Sequence, residues 1–199
     1  MTSHKQKIII ASSNKGKIRE FQALLADLAI EIVAQGALNV PDAEETGLTF
    51  IENAILKARN AAKHTGLPAI ADDSGICIQA LNNRPGIYSA RYAGPHAQDA
   101  DLVAKVLSEM RGVPDGQRQA EFHCVIAYLR HEYDPDPIIT HGVWSGTIVH
   151  DAKGKQGFGY DPIFYIPEYK CTAAELIPAQ KNKISHRGLA LQQLILMLS

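Results

Sequence analysis

The sequence predicts an α/β fold, and two observations carry that prediction. Short runs rich in Ile, Val and Ala alternate with longer segments whose apolar residues recur every three or four positions. Where the first such run meets the first helical segment, the join is a small polar loop containing Gly and Lys. The 199 residues, 46% hydrophobic and 21% charged, suffice for a single domain over 1–199, or one domain with two lobes, with a real core. A net charge of −1 leaves no basic excess, so no nucleic-acid partner is expected and any anion site must be local. Cys77, Cys124 and Cys171 are odd in number, far apart and without a CxxC pair. Neither a disulfide framework nor a zinc site is indicated, and a reducing, cytoplasmic setting is expected. Met1 to Gln6 is polar, and no apolar run approaches the roughly twenty residues of a membrane span, so neither export nor a membrane partner is expected.

Lys7 to Ala11 reads as a buried first strand, and Lys17 to Leu28 as a helix with Ile18, Phe21, Leu24, Leu25 and Leu28 on one face. Between them, Ser12, Ser13, Asn14, Lys15 and Gly16 set free amides and a helix dipole beside Lys15 and Lys17, an arrangement that suits phosphate. Ser13 or Asn14 also qualifies as the helix N-cap. The window from Ala11 to Ile18 departs from the Walker A pattern at both ends, with Ala for the first Gly and Ile where a Ser or Thr would hold magnesium. Metal ligands must then come from elsewhere. Glu31 to Gln35 reads as a second strand, followed by an acidic loop, Gly36 to Gly47, that carries Asp42, Glu44 and Glu45. Thr49 to Glu52 makes a capping box for a helix running to about Lys63, closed by Gly66 and Pro68. On it Asn53, Lys57 and Asn60 form one polar stripe opposite Phe50, Ala54, Ala58 and Ala61. The stripe either faces water or lines a cleft, and in the second case Lys57 is a further phosphate lysine.

Next, Ala71-Asp72-Asp73-Ser74-Gly75 interrupts two apolar, strand-like runs, Leu67 to Ile70 and Ile76 to Ile78. Adjacent acids there must find a cation, a donor or a proton unless the stretch is simply a turn. Asn82 to Gly86 reads as a turn, Ile87 to Tyr92 as a short element, and Asp99 to Met110 as a helix packing Leu102, Val103, Val106, Leu107 and Met110. Gln119 to Leu129 alternates as a strand, and Ile138 to Val149 reads as a strand pair broken at Gly142 or Gly146. In Gly157-Phe158-Gly159-Tyr160-Asp161-Pro162, glycines flanking an aromatic let backbone approach a ligand and expose a ring for stacking, with Asp161 as an acceptor. The alternative is a plain aromatic turn. Thr172 to Leu176 reads as a short helix, and Ser185 as the cap of a last helix that packs Leu189, Leu191, Leu194, Ile195 and Leu198. His186 and Arg187 sit in its first turn, where cations are electrostatically misplaced, and that conflict points to a functional reason for them.

Taken together, SSNKGK, ETGLTFIENAILKA, ADDSG, RPGIYSARYAG, GFGYDPIF and KNKISHRGLAL closely resemble the inosine triphosphate pyrophosphatase family, also called XTP/dITP pyrophosphatases, from Ile8 to the last helix. The resemblance implies a long twisted mixed sheet with flanking helices, in two lobes around a central nucleotide-binding cleft. It also implies a magnesium-dependent homodimer that hydrolyses non-standard purine nucleoside triphosphates (ITP, dITP, XTP) to the monophosphate and pyrophosphate. By the same resemblance, Ser12, Ser13, Asn14, Lys15, Gly16 and Lys17 form the triphosphate loop, with Asn14 and Lys17 as chief contacts. Glu44 or Glu45 is a magnesium ligand, Asp73 the catalytic acid-base residue, and Ser74 a substrate contact. Phe158, Gly159, Tyr160, Asp161, Lys181, His186 and Arg187 make the base and sugar pocket.

Hydrolysis between the α and β phosphates needs a water in line with phosphorus, a metal on phosphate oxygens, and cations on the leaving pyrophosphate. Glu44 or Glu45 with Asp73 would give the sparse carboxylate set that magnesium favours, and Lys17 and Lys57 would neutralise the pyrophosphate. Alternation along a regular strand sends Asp72 and Asp73 to opposite faces, so Asp73 takes the site and Asp72 supports it or turns the chain. Asp73 either orients the water or binds the ion. Two other classes are less well served. An orthophosphate-releasing NTPase lacks its Walker A motif here, and a nucleotide- or RNA-binding module has no use for Glu44, Glu45 and Asp73.

Overall fold

The computed structural model describes residues 6–26 and 28–198. Apart from Gln6, the polar stretch read for export lies outside the described residues, as does position 27 of the first expected helix. In chain order the elements are β1 (Gln6–Ile10), α1 (Lys15–Leu24), β2 (Ile30–Ala34), α2 (Phe50–Thr65), β3 (Ala69–Ile78), β4 (Arg84–Pro85), α3 (Asp99–Glu109), β5 (Gln119–Leu129), β6 (Ile138–Ile148), β7 (Phe164–Ile166), β8 (Cys171–Thr172), α4 (Pro178–Ile184) and α5 (His186–Leu198). The strands share one sheet, ordered β2-β1-β3-β5-β6-β7-β8, with β4 beside β3. β1 runs parallel to β2 and β3, while β3/β4, β6/β7 and β7/β8 are antiparallel. The sheet is therefore mixed and open, flanked by helices, as the resemblance implied.

Local signals account for most helix ends. Asn14, rather than Ser13, caps α1, its Oδ1 accepting from the Gly16 and Lys17 amides. The Thr49/Glu52 capping box opens α2 and Gly66, at φ 67°, closes it. Of the two readings of the acidic stretch the turn is excluded, because β3 runs unbroken from Ala69 to Ile78. Two expectations are corrected. β6 is one continuous strand through Gly142 and Gly146. A Cβ at Gly146 would lie 2.5 Å from the Tyr165 carbonyl oxygen, so that glycine marks a close approach by β7 and not a break. Thr172 to Leu176 holds only a 3-10 turn, Ala173–Glu175, and the helix that presents Lys181 is α4, which sequence reasoning did not anticipate.

Two compact units emerge. One comprises residues up to Asp73 with Cys124–Gly142 and the chain from Leu189; the other comprises Ser74–His123 and Val143–Gly188. In the first, strand alternation divides the core in two. Ile8, Ile10, Ile70, Cys124, Ile126 and Tyr128 pack with Phe21 of α1 and with Leu191 and Leu194 of α5. Ile9, Ala11, Ala69, Ala71, Val125, Ala127 and Leu129 pack instead with Ala54, Ala58, Ala61 and Ala62 of α2, whose small side chains let the helix lie close. Neighbouring positions on each strand thus serve opposite faces. The second unit has its own core around Ile76, Ile78, Val106, Phe122, Trp144 and Phe164. There the buried Arg118 guanidinium donates to the carbonyls of Met110, Val113, Ile148 and Val149 at 2.6 to 3.1 Å, tying the chain after α3 to the end of β6.

Candidate active site

Parity on β3 decides where the two acids go. Asp72 follows Ile70 toward α1, and Asp73 follows Ala69 and Ala71 toward α2. Accordingly Lys17, in the first turn of α1, places its Nζ 3.0 Å from Asp72 Oδ2, and Lys57 of α2 places its Nζ 2.7 Å from Asp73 Oδ1. Asp72, expected to support or to turn the chain, is the buried anchor of Lys17. Around Lys17 the loop is preorganised: Ser12 Oγ accepts from the Asn14 amide, and Asn14 Oδ1 is engaged in capping. Ser13 and Lys15 are exposed, and Gly16 is buried.

The polar stripe of α2 does not face water, since the acidic loop lies on it. Lys57 Nζ is 2.8 Å from Glu45 Oε1, Asn60 Nδ2 donates to the Pro41 carbonyl, and the Gly47 amide donates to Asn53 Oδ1. Glu45 is thereby joined to Asp73 through one ammonium, whereas Glu44 is exposed. Burial opposes the charge on Lys57, yet Asp73, Asp72 and Glu45 outweigh it and hold its pKa above the ordinary lysine value. Burial pushes the Asp73 carboxyl up, and Lys57 and Lys17 only partly counter it. Asp73 Oδ2 is buried and finds no hydrogen-bond partner among the described residues, a costly state for a carboxylate oxygen.

Three carboxylates, Glu45, Asp72 and Asp73, gather round two ammonium groups, Lys17 and Lys57. That acidic setting and the orphaned Asp73 Oδ2 fit a cation. Among the described residues no three Asp, Glu, His or Cys groups converge to enclose one unaided. Such sparseness suits magnesium, which takes one or two carboxylates together with phosphates and waters.

In the second unit the glycine-aromatic loop is built around Asp161. Its Oδ2 accepts from the Phe158 amide at 2.8 Å and from Lys181 Nζ at 2.6 Å. A Cβ at Gly157, where φ is +77°, would fall 2.0 Å from that oxygen, so only glycine fits. Gly159 donates its amide to Asp99, and Tyr160, far from being an open stacking ring, is buried with its hydroxyl on the Ser89 carbonyl. Phe158 is the half-exposed ring, with Lys181 Nζ 4.7 Å and the Arg187 guanidinium 5.8 Å from its centroid. Arg187 Nη2 donates to Ser74 Oγ at 2.9 Å, and His186 stacks on Phe122 at 4.7 Å. These contacts supply the reason for two basic residues at a helix start, where the dipole alone disfavours them. Sequence reasoning missed Phe122 and Trp144 as the aromatic bed of His186, backed by Phe164, since each reads as ordinary strand core. Ser89, which accepts from the Ile76 amide and donates to Gly86, was missed as well.

A mixed α/β sheet with Lys17 and Lys57 coupled to adjacent acids fits the class of nucleoside triphosphate hydrolases. Within it the chain belongs to the Ham1 family, which it matches over residues 8–197. It is 60% identical over 190 residues to a dITP/XTP pyrophosphatase of Photorhabdus laumondii, covering 96% of each chain, and 56% identical to one of Coxiella burnetii. Its structure is similar to that of a HAM1 protein from Coxiella burnetii, with a TM-score of 0.90, 56% identity and coverage of 97% of this chain and 98% of that one. The Staphylococcus aureus Ham1 protein is similar at a TM-score of 0.85 and 42% identity over 97% and 98%.

Proposed function

We propose that this chain hydrolyses non-standard purine nucleoside triphosphates, ITP, dITP and XTP, to the monophosphate and pyrophosphate, with the whole chain acting as one pyrophosphatase domain. The observation that carries the reading is the convergence of Lys17 and Lys57 on the adjacent acids Asp72 and Asp73. Triphosphate lies on the Ser12 to Lys17 loop, where helix amides and Lys17 receive its charge. Glu45 and Asp73 would hold magnesium, which when bound supplies neutralising charge on phosphate oxygens. With Oδ1 held by Lys57, Asp73 has only Oδ2 left, which serves either the ion or the proton of a water aimed at the α phosphorus. Lys57 and Lys17 set their ammonium charges against the charge building on the leaving pyrophosphate, while Asp72 keeps Lys17 in place. The base lies against Phe158, read by the donors of Lys181, His186 and Arg187.

Hypoxanthine and xanthine offer an oxygen at position 6, where adenine offers an amino group. Lysine and arginine only donate, so adenine confronts them donor to donor, and such mispairing can cost on the order of ten thousandfold in kcat/KM. The active form is proposed to be a homodimer working in the cytoplasm, in keeping with Cys77, Cys124 and Cys171, none of which is in a disulfide. Among the described residues no helix is long and apolar enough to cross a membrane. The deciding assay incubates the protein with ITP and magnesium and measures phosphate with and without added inorganic pyrophosphatase. Phosphate is expected only with the coupling enzyme, and its direct release would overturn the reading.

A further inference from the structure

We infer that Asn53 and Asn60, which flank Lys57 on α2, are positioning residues that hold the acidic loop so that Glu45 stays on Lys57 and Asp73. The inference rests on the proposed role of Glu45 and Asp73 in holding magnesium. Residues 39–49 contain no regular element, and Asp42, Glu44 and Glu45 repel one another, so Glu45 needs an external constraint to stay beside a third acid. The stripe supplies it at both ends. Asn60 Nδ2 donates to the Pro41 carbonyl at 2.8 Å, the Gly47 amide donates to Asn53 Oδ1 at 2.8 Å, and Lys57 takes Glu45 between them at 2.8 Å. Positions 53, 57 and 60 lie on one helical face, so a single surface presents all three holds.

Two further features show that the fit is close. A Cβ at Gly47 would lie 2.6 Å from Glu52 Cβ and 2.7 Å from Asn53 Oδ1, so the loop backbone is pressed against the helix with no room for a side chain. Asn53 itself is fully buried, and its Nδ2 finds no hydrogen-bond partner among the described residues. An amide carries that cost here in return for one acceptor, the oxygen that holds Gly47.

The test titrates magnesium alone by calorimetry, and measures half-saturating magnesium for ITP turnover, in Asn60→Ala, Asn53→Ala, Glu45→Ala and Arg59→Ala. Groups that orient metal ligands typically account for ten- to a hundredfold of affinity, so both asparagine variants should bind magnesium about tenfold more weakly, with kcat at saturating magnesium nearly unchanged. Arg59→Ala removes a contact of the same helix with the Glu132 carbonyl and should leave magnesium binding unaltered, which separates positioning from general loosening of α2. Asn60 is only half-buried, so its variant decides the matter even if Asn53→Ala fails to fold. If Glu45→Ala weakens magnesium binding and Asn60→Ala does not, the clamp is wrong and the metal assignment stands. If Glu45→Ala binds magnesium normally, both fall.

Discussion

At position 73 the carboxylate has one oxygen held by Lys57 Nζ at 2.7 Å and another that is buried without a hydrogen-bond partner among the described residues. Asp73→Asn keeps the shape but removes the charge, so Lys57 loses one of its two counter-ions and the proposed site one of its carboxylates. We predict a fall in kcat of at least a hundredfold, the lower end of general acid-base assistance, with nucleotide binding retained because Lys17 and its Asp72 anchor are untouched. Single-turnover kinetics with ITP alongside calorimetric binding checks this, and near-normal kcat would place the chemistry elsewhere. Arg187 is 1% exposed, and its guanidinium bonds Ser74 Oγ and lies under Phe158. Arg187→Ala is expected to lower kcat/KM for ITP much more than for ATP. An unchanged ratio of the two would mean that Arg187 holds Ser74 without reading the base.

Elements are held by a few polar residues placed where strands and helices end. Arg118 is the clearest case: it lies just before β5, yet it satisfies carbonyls that follow α3 and close β6. Removing it leaves four buried or half-buried acceptors short of a donor. Arg118→Ala is therefore expected to destabilise the fold by about 3 kcal/mol, read as a lowered urea midpoint. None of these four hydrogen bonds involves Lys57 or Asp161, so kcat of the folded fraction should hold. The same logic explains a misreading. Glycine at 146 reads as a break in a strand, but it is there to admit the β7 backbone, and a close approach by a distant segment leaves no mark on the neighbouring residues.

For the molecule as a whole, one buried acid outside the candidate site makes stability depend on pH. Asp134 is 1% exposed at its side chain, and its carboxylate accepts from the Arg130 guanidinium and from the amides of Arg130 and Asp136. The Arg130 guanidinium holds its pKa far below the ordinary carboxylate range. A depressed folded pKa contributes stability that is fully present above the unfolded value of about 4 and is lost as pH falls through the folded value. Urea unfolding of the unaltered chain and of Asp134→Asn should thus differ by a constant amount from about pH 5 to 8, with the gap closing below about pH 4. A gap that persists into strong acid would show that the charge of Asp134 is not what stabilises the loop.

The sequence by itself determined the elements with local causes. The cap at Asn14, the capping box at Thr49 and Glu52, the left-handed Gly66 and the alternation of Gln119 to Leu129 are all written within a few residues of where they act. Its ordered motifs determined the family as well. Tertiary structure alone decided that β3 continues through three polar residues and a glycine, because the cations that let Asp72 and Asp73 stay in a strand come from α1 and α2. It also placed Glu45, and not Glu44, beside Asp73, and turned the stripe of α2 toward the loop. Each of those outcomes depends on the neutralisation or hydrogen bonding of one segment by another far along the chain, and local propensity carries no record of that partner.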